Sequence, residues 1–529
     1  MPRTDVFATL RRCLNVAREA NAPDAPPLDD LLGLVEERRA SRRRFLKAGA
    51  IAAGASLASV TPGCLLPRFG AGRISPRVVI VGGGLSGLSA AYRLKKRGHR
   101  ALVFEASSRV GGRVWSSKNA VADGVVTELG GEFIDSNHKD LLSLVSEFNL
   151  GLIDTRARSE RGLTRDTYFF DGRSIGERDV IEAFRPLAAR MESDLNRVGD
   201  VVDHEHPDAD GGFDGMSISA YLDRVGADGF MRKLLEVAYV SEYGLDAEEQ
   251  SALNLLLLIG TDTRGDRFDV YGDSDERYKV RGGNQSVTDT LAARLDGAIE
   301  LGHRLEAVER IGESYRLTFA VENGAARDVD ADFVVLALPF TMLRNVDLRI
   351  DMPDVKRRAI NELGYGTNAK VVVGMRRPLW RDQSLSGNVL SDEPFQCAWD
   401  SSRLQGASEA AMTLYSGGAE GVRVGAGSPR EQSRRLLPGL DRALPGVAAA
   451  ALDRVVRFHW PSYPFSKGSY SCYRVGQWTT FGGAESTPIE RLHFVGEHTS
   501  TEFQGFMNGA VQSGRAAAES ILAAIRAGA

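Results

Sequence analysis

The chain has 529 residues, 43% of them hydrophobic and 26% charged, with a formal net charge of −4. That composition suits a globular protein long enough for more than one domain, and neither the charge nor any basic stripe with interleaved aromatics points to nucleic acid. Four scattered cysteines (Cys13, Cys64, Cys397 and Cys472) form no CxxC pair and no metal-ligand spacing, so no disulfide framework and no metal site are expected. His204 and His206 sit among Asp and Gly and read as a polar loop.

Residues 1–73 read as a segment apart. Two amphipathic helical patterns (Val6, Leu10, Leu14, Ala17; then Leu28, Leu31, Leu32, Val35) precede Ser41-Arg42-Arg43-Arg44-Phe45-Leu46-Lys47, and an apolar, small-residue stretch runs from Ala48 to Val60. A basic patch followed by an apolar run is the pattern of an export signal. The paired arginines match the twin-arginine type, a receptor-read address. The expected location is therefore periplasmic or extracellular, with the twin-arginine export machinery as a partner. Cys64 after Gly63 is a candidate lipid attachment site, although Thr61-Pro62 suits it poorly. No stretch reads as a membrane span.

The rest of the chain is organised around Arg77 to Glu105. An apolar run, Val78 to Val81, predicts a buried parallel strand. Gly82, Gly84 and Gly87 follow at G-x-G-x-x-G spacing, with Leu85 and Ser86 inside the motif. The first glycine allows a tight turn, the second lets backbone approach a pyrophosphate, and the third lets helix and strand pack closely. A helical pattern (Leu88, Ala91, Tyr92, Leu94) offers its N-terminus to phosphate. A second apolar run, Ala101 to Phe104, ends in Glu105, which can accept hydrogen bonds from both hydroxyls of a ribose. An acid here argues against a ribose 2′-phosphate.

Glu105 leads into Ala106-Ser107-Ser108-Arg109-Val110-Gly111-Gly112-Arg113. With this second glycine pair and its arginine, the sequence closely resembles the flavin-dependent amine oxidases: monoamine, polyamine and L-amino-acid oxidases. The resemblance covers most of the chain from about Pro76. It implies an α/β fold in which an FAD-binding Rossmann-like domain (74–152, 268–345 and 455–529) is interleaved with a mixed sheet-plus-helix substrate domain (153–267 and 346–454). It also implies FAD as cofactor, with an amine and O2 as small-molecule partners. The amine would be oxidised by hydride transfer to flavin N5, with hydrogen peroxide as a product. A twin-arginine route, which carries folded proteins, suits an enzyme that acquires FAD before export. A homodimer is left open.

Carried over residue by residue, the resemblance places Glu105 and Ala106 at the adenosine ribose, and Gly112 and Arg113 at the diphosphate. Gly130, Gly131 and Glu132 pass beside the flavin ring, and Leu305 lies toward the adenine. Gly496 and Glu497 contact the ribityl and phosphate part. Phe133 and Asp135 face the substrate. An anion at 135 could hold a distal ammonium; a solvated loop acid is the equal alternative. Amino-acid oxidases of the family carry an arginine at the position of Phe133. Its absence counts against an α-amino-acid substrate without excluding one, since another arginine could serve.

Between these segments, Val180, Phe184, Leu187, Met191, Leu195 and Val198 repeat at helical spacing and read as core. The polar run Asp203 to Asp214 reads as a loop, and Gly417 to Gly427 as a glycine-rich surface loop. Tyr278 to Asn284 precedes a helix opened by Ser286, with Asp289 three residues on. Strand patterns at Tyr315–Val321 and Phe333–Leu338 flank an Asn323-Gly324 hairpin turn. Lys370 opens an apolar strand. Read alone it is a snorkelling surface lysine; the resemblance makes it the lysine held through water to flavin N5, with apolar surroundings lowering its pKa.

At the C-terminal end the resemblance assigns Tyr470 and Phe506 to an aromatic cage across the flavin. The last helix, opened by Gly505 to Gly509 with Met507 at its start, points its N-terminus at the flavin N1–O2 edge. Many monoamine oxidases bond the flavin through a cysteine just before the first cage aromatic. Here that residue is Ser469, and Cys472 lies on the wrong side, so FAD is expected to be non-covalent. The alternatives are an L-amino-acid oxidase, marked by an arginine lining the pocket, a desaturase or isomerase on the same fold, and a flavin-binding scaffold without turnover.

Overall fold

The computed structural model describes residues 76–263, 268–321 and 324–528. The export signal and the Cys64 lipid site lie outside the described residues. Strand β1 (Val78–Val81) is buried along its whole length and is flanked in parallel by β2 (Ala101–Phe104) and by a strand formed much later in the chain. With β3 (Ile299–Glu300), β4 (Phe333–Leu336) and β5 (Leu492–Phe494) this makes a five-stranded parallel sheet in the order β5-β4-β1-β2-β3. The near-continuous apolar runs of β1 and β4 are what a strand covered on both faces requires. Strand order reverses at β1, and the crevice at the carboxyl ends there is where such sheets bind ligands.

Helix α1 (Leu85–Lys96) follows β1, and α2 (Met507–Ala527) packs against it. Their approach is set by Gly514, where a Cβ would lie 2.2 Å from the Ser86 carbonyl oxygen.

A second, seven-stranded sheet runs, in spatial order, through Ala451–His459, Ala369–Met375, Ala410–Ser416, Cys397–Asp400, Leu385–Ser391, Thr164–Phe170 and Arg173–Ile175. Its pairings are antiparallel except that of Leu385–Ser391 with Thr164–Phe170. Strand Ala451–His459 runs across residue 454, where a domain boundary was expected. Helix Glu177–Leu195 buries Val180, Phe184, Leu187 and Met191, the expected stripe. Each large sheet has its own apolar core. The α/β architecture, a Rossmann-like FAD-binding fold with a sheet-plus-helix substrate domain, is as expected.

Three local expectations are corrected. Ser314–Val321 does turn back at Gly324, but its partner is Ala326–Ala331, in a separate four-stranded sheet with His303–Ile311 and Asp347–Arg349. The sequence ARDVDA is too polar to show as a strand by apolar pattern, whereas the wholly apolar Phe333–Leu336 belongs at the centre of the parallel sheet. The helix after Tyr278–Val280 is capped at Asn284, not Ser286, and spans Gln285–Arg294 without a side-chain cap. Asn284 instead spends its amide on the Gly131 and Glu132 carbonyls. Within 417–427, Gly418–Val424 is a helix. Its Gly421 presses so near the segment ahead of strand Ala369–Met375 that a Cβ would lie 2.3 Å from the Thr367 oxygen.

His204 and His206 diverge, one toward the Gly482 carbonyl and the other onto Asp203. Among the described residues no cluster could hold a metal, and no helix is long and apolar enough to cross a membrane.

Candidate active site

A cavity of about 790 Å³ extends from the carboxyl ends of β1 and β2 to the face of the seven-stranded sheet. Every expected cofactor residue lines it except Gly87. Gly87 acts underneath, where a Cβ would lie 2.1 Å from the Gly82 oxygen, so only glycine lets α1 close onto the turn. Gly82 itself holds a φ of +107°, open to glycine at little cost. Glu105 ties the two glycine-rich turns together: its carboxylate accepts from Gly83 N at 2.7 Å and Ser107 N at 2.8 Å. An ionised carboxylate has about four acceptor sites, so room for ribose hydroxyls is left. Gly84 and Gly112 face each other with nothing but each other's Cα near a Cβ position, an open cradle between two stacked turns. His303, Arg304 and Leu305 line the adenosine side. These residues fit FAD.

Arg113 donates to the Ser469 carbonyl and to Glu497, each at 2.8 Å. Glu497 is not free to reach a ligand as expected. It accepts from Arg113, from Ser471 N and Oγ, and from Gly505 N. Burial, the largest single influence, would raise its carboxyl, but Arg113, His498 and the Ser471 hydroxyl together hold it below the usual range. Glu497 therefore braces Arg113 and the loop ahead of α2. Gly130 and Gly131 are close-approach positions: a Cβ would lie 1.9 Å from the Arg113 oxygen at one and 2.9 Å from the Met507 sulfur at the other.

Lys370 lines the cavity, but its surroundings correct the expectation of an apolar setting. Its ammonium donates to Glu128 O at 3.0 Å, Gly130 O at 2.9 Å and Glu132 Oε2 at 2.8 Å. All three protons are used. The acid responsible comes from Glu132, 238 residues away in the chain, which strand periodicity around Lys370 cannot reveal.

Asp135 is also corrected. It does not line the cavity. Its carboxylate accepts from Ser274 Oγ at 2.9 Å and Glu276 N at 2.8 Å, and burial pushes its carboxyl up to about 6. Asp135 anchors the loop that carries Glu276. Glu276 and Glu242 are among the acids that do line the cavity. Neither carboxylate has a hydrogen-bond or ion-pair partner among the described residues. Burial, and their mutual repulsion with Asp135, raise Glu242 to about 7 and Glu276 to about 8.

Tyr470 and Phe506 both reach the cavity. The Tyr470 hydroxyl is held by Tyr415 at 2.8 Å and by the Ser241 carbonyl at 3.3 Å, and Phe506 packs on His138 with centroids 5.2 Å apart. Phe133 packs on Trp399, and Trp399 on Tyr415, extending an aromatic wall. Trp399, Tyr415, Glu242 and Glu276 were missed from sequence. Strand register supplies the signal for Tyr415, which pairs with Lys370 on one side and Cys397 on the other. Glu242, an acid in the last turn of helix Gly229–Tyr243 next to the buried run Ala238, Tyr239, Val240 and Ser241, carries its own. Arg156 and Arg165 also line the cavity. They are half-exposed and lie near acids, Arg156 at 3.9 Å from Asp275 and Arg165 at 3.6 Å from Asp166.

Ser469 donates to Asn368 Oδ1 at 2.6 Å and offers no thiol. The buried Cys472 thiol lies against Asn254, away from the cavity. FAD is accordingly held non-covalently.

An L-amino acid dehydrogenase of Synechocystis sp. is 25% identical over 464 residues, covering 84% of this chain and 94% of its own. A flavin-containing amine oxidase A of Sus scrofa is 26% identical over 468 residues, covering 85% of each chain. In fold, the chain is similar to putrescine oxidase bound to putrescine (TM-score 0.72, 23% identity, 85% of this chain and 99% of that one). It is also similar to cyclohexylamine oxidase from Brevibacterium oxydans IH-35A (TM-score 0.75, 22% identity, 86% and 100%). The family model for flavin-containing amine oxidoreductases matches residues 85–522, which include the whole glycine cradle beyond Gly84, the Lys370 strand and the cage aromatics. The cradle, the ribose acid and that match agree: the chain belongs to the flavin-containing amine oxidoreductases and uses FAD.

Proposed function

We propose that the protein oxidises an amine that carries a second cationic nitrogen, a diamine or polyamine. The observation that carries this reading is the pair of cavity-lining carboxylates, Glu242 and Glu276, with no hydrogen-bond or ion-pair partner among the described residues. Buried charge is costly unless paired, and a bound ammonium supplies the missing partner. When bound, FAD supplies the acceptor for a hydride from the amine's α-carbon and passes the electrons to O2 as hydrogen peroxide.

The chain's own residues do the rest. Tyr470, fixed through its hydroxyl, and Phe506 flank the reacting amine and exclude water. An amine stripped of water favours its neutral form, the form whose C–H bond can be cleaved. Glu242 and Glu276 hold the distal ammonium and so set which carbon is presented. Lys370, with its protons committed, serves as a fixed cation and not as a base. Arg156 and Arg165 favour a second reading, an α-amino acid whose carboxylate they would meet at the cavity mouth. Their exposure and acidic neighbours rank it second. The twin-arginine pattern at Arg42–Arg44 carries the companion proposal that the enzyme works outside the cytoplasm, which fractionation of cells expressing the full chain checks.

The activity test is oxygen uptake with peroxide and aldehyde measured together. One peroxide per O2 with 1,4-diaminobutane or spermidine is expected. Absence of uptake with every amine would refute the oxidase reading. A pH dependence also follows. Binding a dication favours the ionised forms of Glu242 and Glu276, whose carboxyls are raised to about 7 and about 8. Affinity for a non-oxidisable dication, such as a bis-quaternary alkane, should rise with pH up to about 8. Below about 6.5 it should fall roughly tenfold per pH unit for each carboxylate that must ionise. Perturbation of the flavin spectrum by the dication reads this out, and a pH-independent affinity would contradict it.

A further inference from the structure

Glu132 sits between two lysines. Lys370 meets its Oε2 at 2.8 Å and Lys279 its Oε1 at 2.8 Å, and none of the three side chains is more than 5% exposed. Lys279 also donates to the Ser401 carbonyl at 3.2 Å and sits over the Phe133 ring, and it lies outside the cavity lining, behind Glu132. Burial alone would raise the Glu132 carboxyl, but Lys279 and then Lys370 outweigh it and hold it well below the ordinary range.

A Glu132–Lys370 pair would already be neutral. Lys279 adds a second desolvated cation, and among the described residues neither lysine has an ion-pair partner besides Glu132; burial raises the carboxyl of Glu128, the other acid of this segment, to about 7. A buried ion pair is weak evidence for stability, and a surplus buried charge is weaker still. The surplus instead has an electrostatic consequence. Fixed charge beside a water-poor site acts strongly on charge that develops there. Glu132 and Lys370 both line the cavity, and Gly130 and Gly131, which join them to the glycine cradle, line it too.

We propose that Lys279 is a positioning residue for the flavin reaction: it fixes Glu132, which pins the Lys370 ammonium, and it leaves the triad with one positive charge in excess that favours electron uptake in the adjoining cavity. The proposal rests on FAD occupying that cavity and not on the identity of the amine.

The test is the midpoint potential of the bound flavin, measured by equilibration with redox dyes at pH 6, below the value of about 7 to which burial raises Glu128. No amine is used, so a failure here is distinguishable from a failure of the diamine reading. Lys279→Met should lower the potential by about 30 mV, a tenfold change in a two-electron equilibrium. Lys279→Arg should restore it, and Glu132→Gln should raise it. Far-UV circular dichroism and FAD content separate these shifts from misfolding. Should Lys279→Met not fold, Glu132→Gln alone decides, since the charge account requires its potential to rise. A folded, FAD-replete Lys279→Met enzyme with the wild-type potential would overturn the proposal. So would a Glu132→Gln potential that stays put or falls.

Discussion

A Glu242→Gln, Glu276→Gln double variant should lose about 100-fold in kcat/KM for 1,4-diaminobutane while its rate with benzylamine stays within about threefold. Both substitutions keep side-chain size, so the cavity shape persists and only the charge goes. Removing one partner of a buried charge pair costs about 2–5 kcal/mol, and about 2.7 kcal/mol is a hundredfold in rate. Benzylamine has no second ammonium and asks nothing of these carboxylates. Steady-state oxygen uptake with both substrates measures the ratio. An equal loss for both would show that the two acids support the cavity and do not read the substrate. Asp135→Asn provides the contrast. Its carboxylate holds Ser274 and Glu276 N and does not face the cavity, so any loss should fall on both substrates alike.

Gly87→Val should abolish FAD retention. A Cβ at this position would lie 2.1 Å from the Gly82 oxygen, 3.1 Å from the Ala337 Cβ and 3.2 Å from the Ile80 side chain. Two of those neighbours belong to β1 and its turn, which cannot give way without opening the sheet. The start of α1 must move instead, carrying its N–H groups off the phosphate position. Overpacking of this kind costs about 3 kcal/mol or more when backbone is the obstacle. The ratio of flavin to protein absorbance and the unfolding temperature report both effects. Gly162→Ala, with nothing near its Cβ position, should change neither. Stoichiometric FAD in Gly87→Val would contradict the packing role.

The two halves of the molecule were unequally legible in the sequence, for physical reasons. The stretch from Val78 to Arg113 could be read because strand, turn, helix and acid are neighbours in the chain, and each glycine answers a local steric demand. The substrate end could not. Glu242 closes a helix, Glu276 sits in a loop at a positive φ of 45°, and Trp399 and Tyr415 lie on adjacent strands. Only tertiary packing brings these four together. Asp135 drew attention through its nearness to the Gly130-Gly131 pair, yet a backbone N–H 141 residues later claims one of its oxygens. Lys370 was placed correctly on its strand, while its environment was misjudged because its anionic partner arrives from another segment. The polar strand Ala326–Ala331 escaped because an exposed edge carries no apolar pattern.

The central claim is that this cavity selects an amine by its second positive charge. Anaerobic rapid mixing of the FAD enzyme with 1,4-diaminobutane, spermidine, n-butylamine, benzylamine, L-lysine and L-phenylalanine tests it without dependence on the electron acceptor. The account predicts bleaching of the flavin by 1,4-diaminobutane or spermidine about 100-fold faster than by n-butylamine, which differs from the diamine by one ammonium. Equal rates for butylamine and diaminobutane, or bleaching by the amino acids alone, would contradict it and move recognition from Glu242 and Glu276 to Arg156 and Arg165.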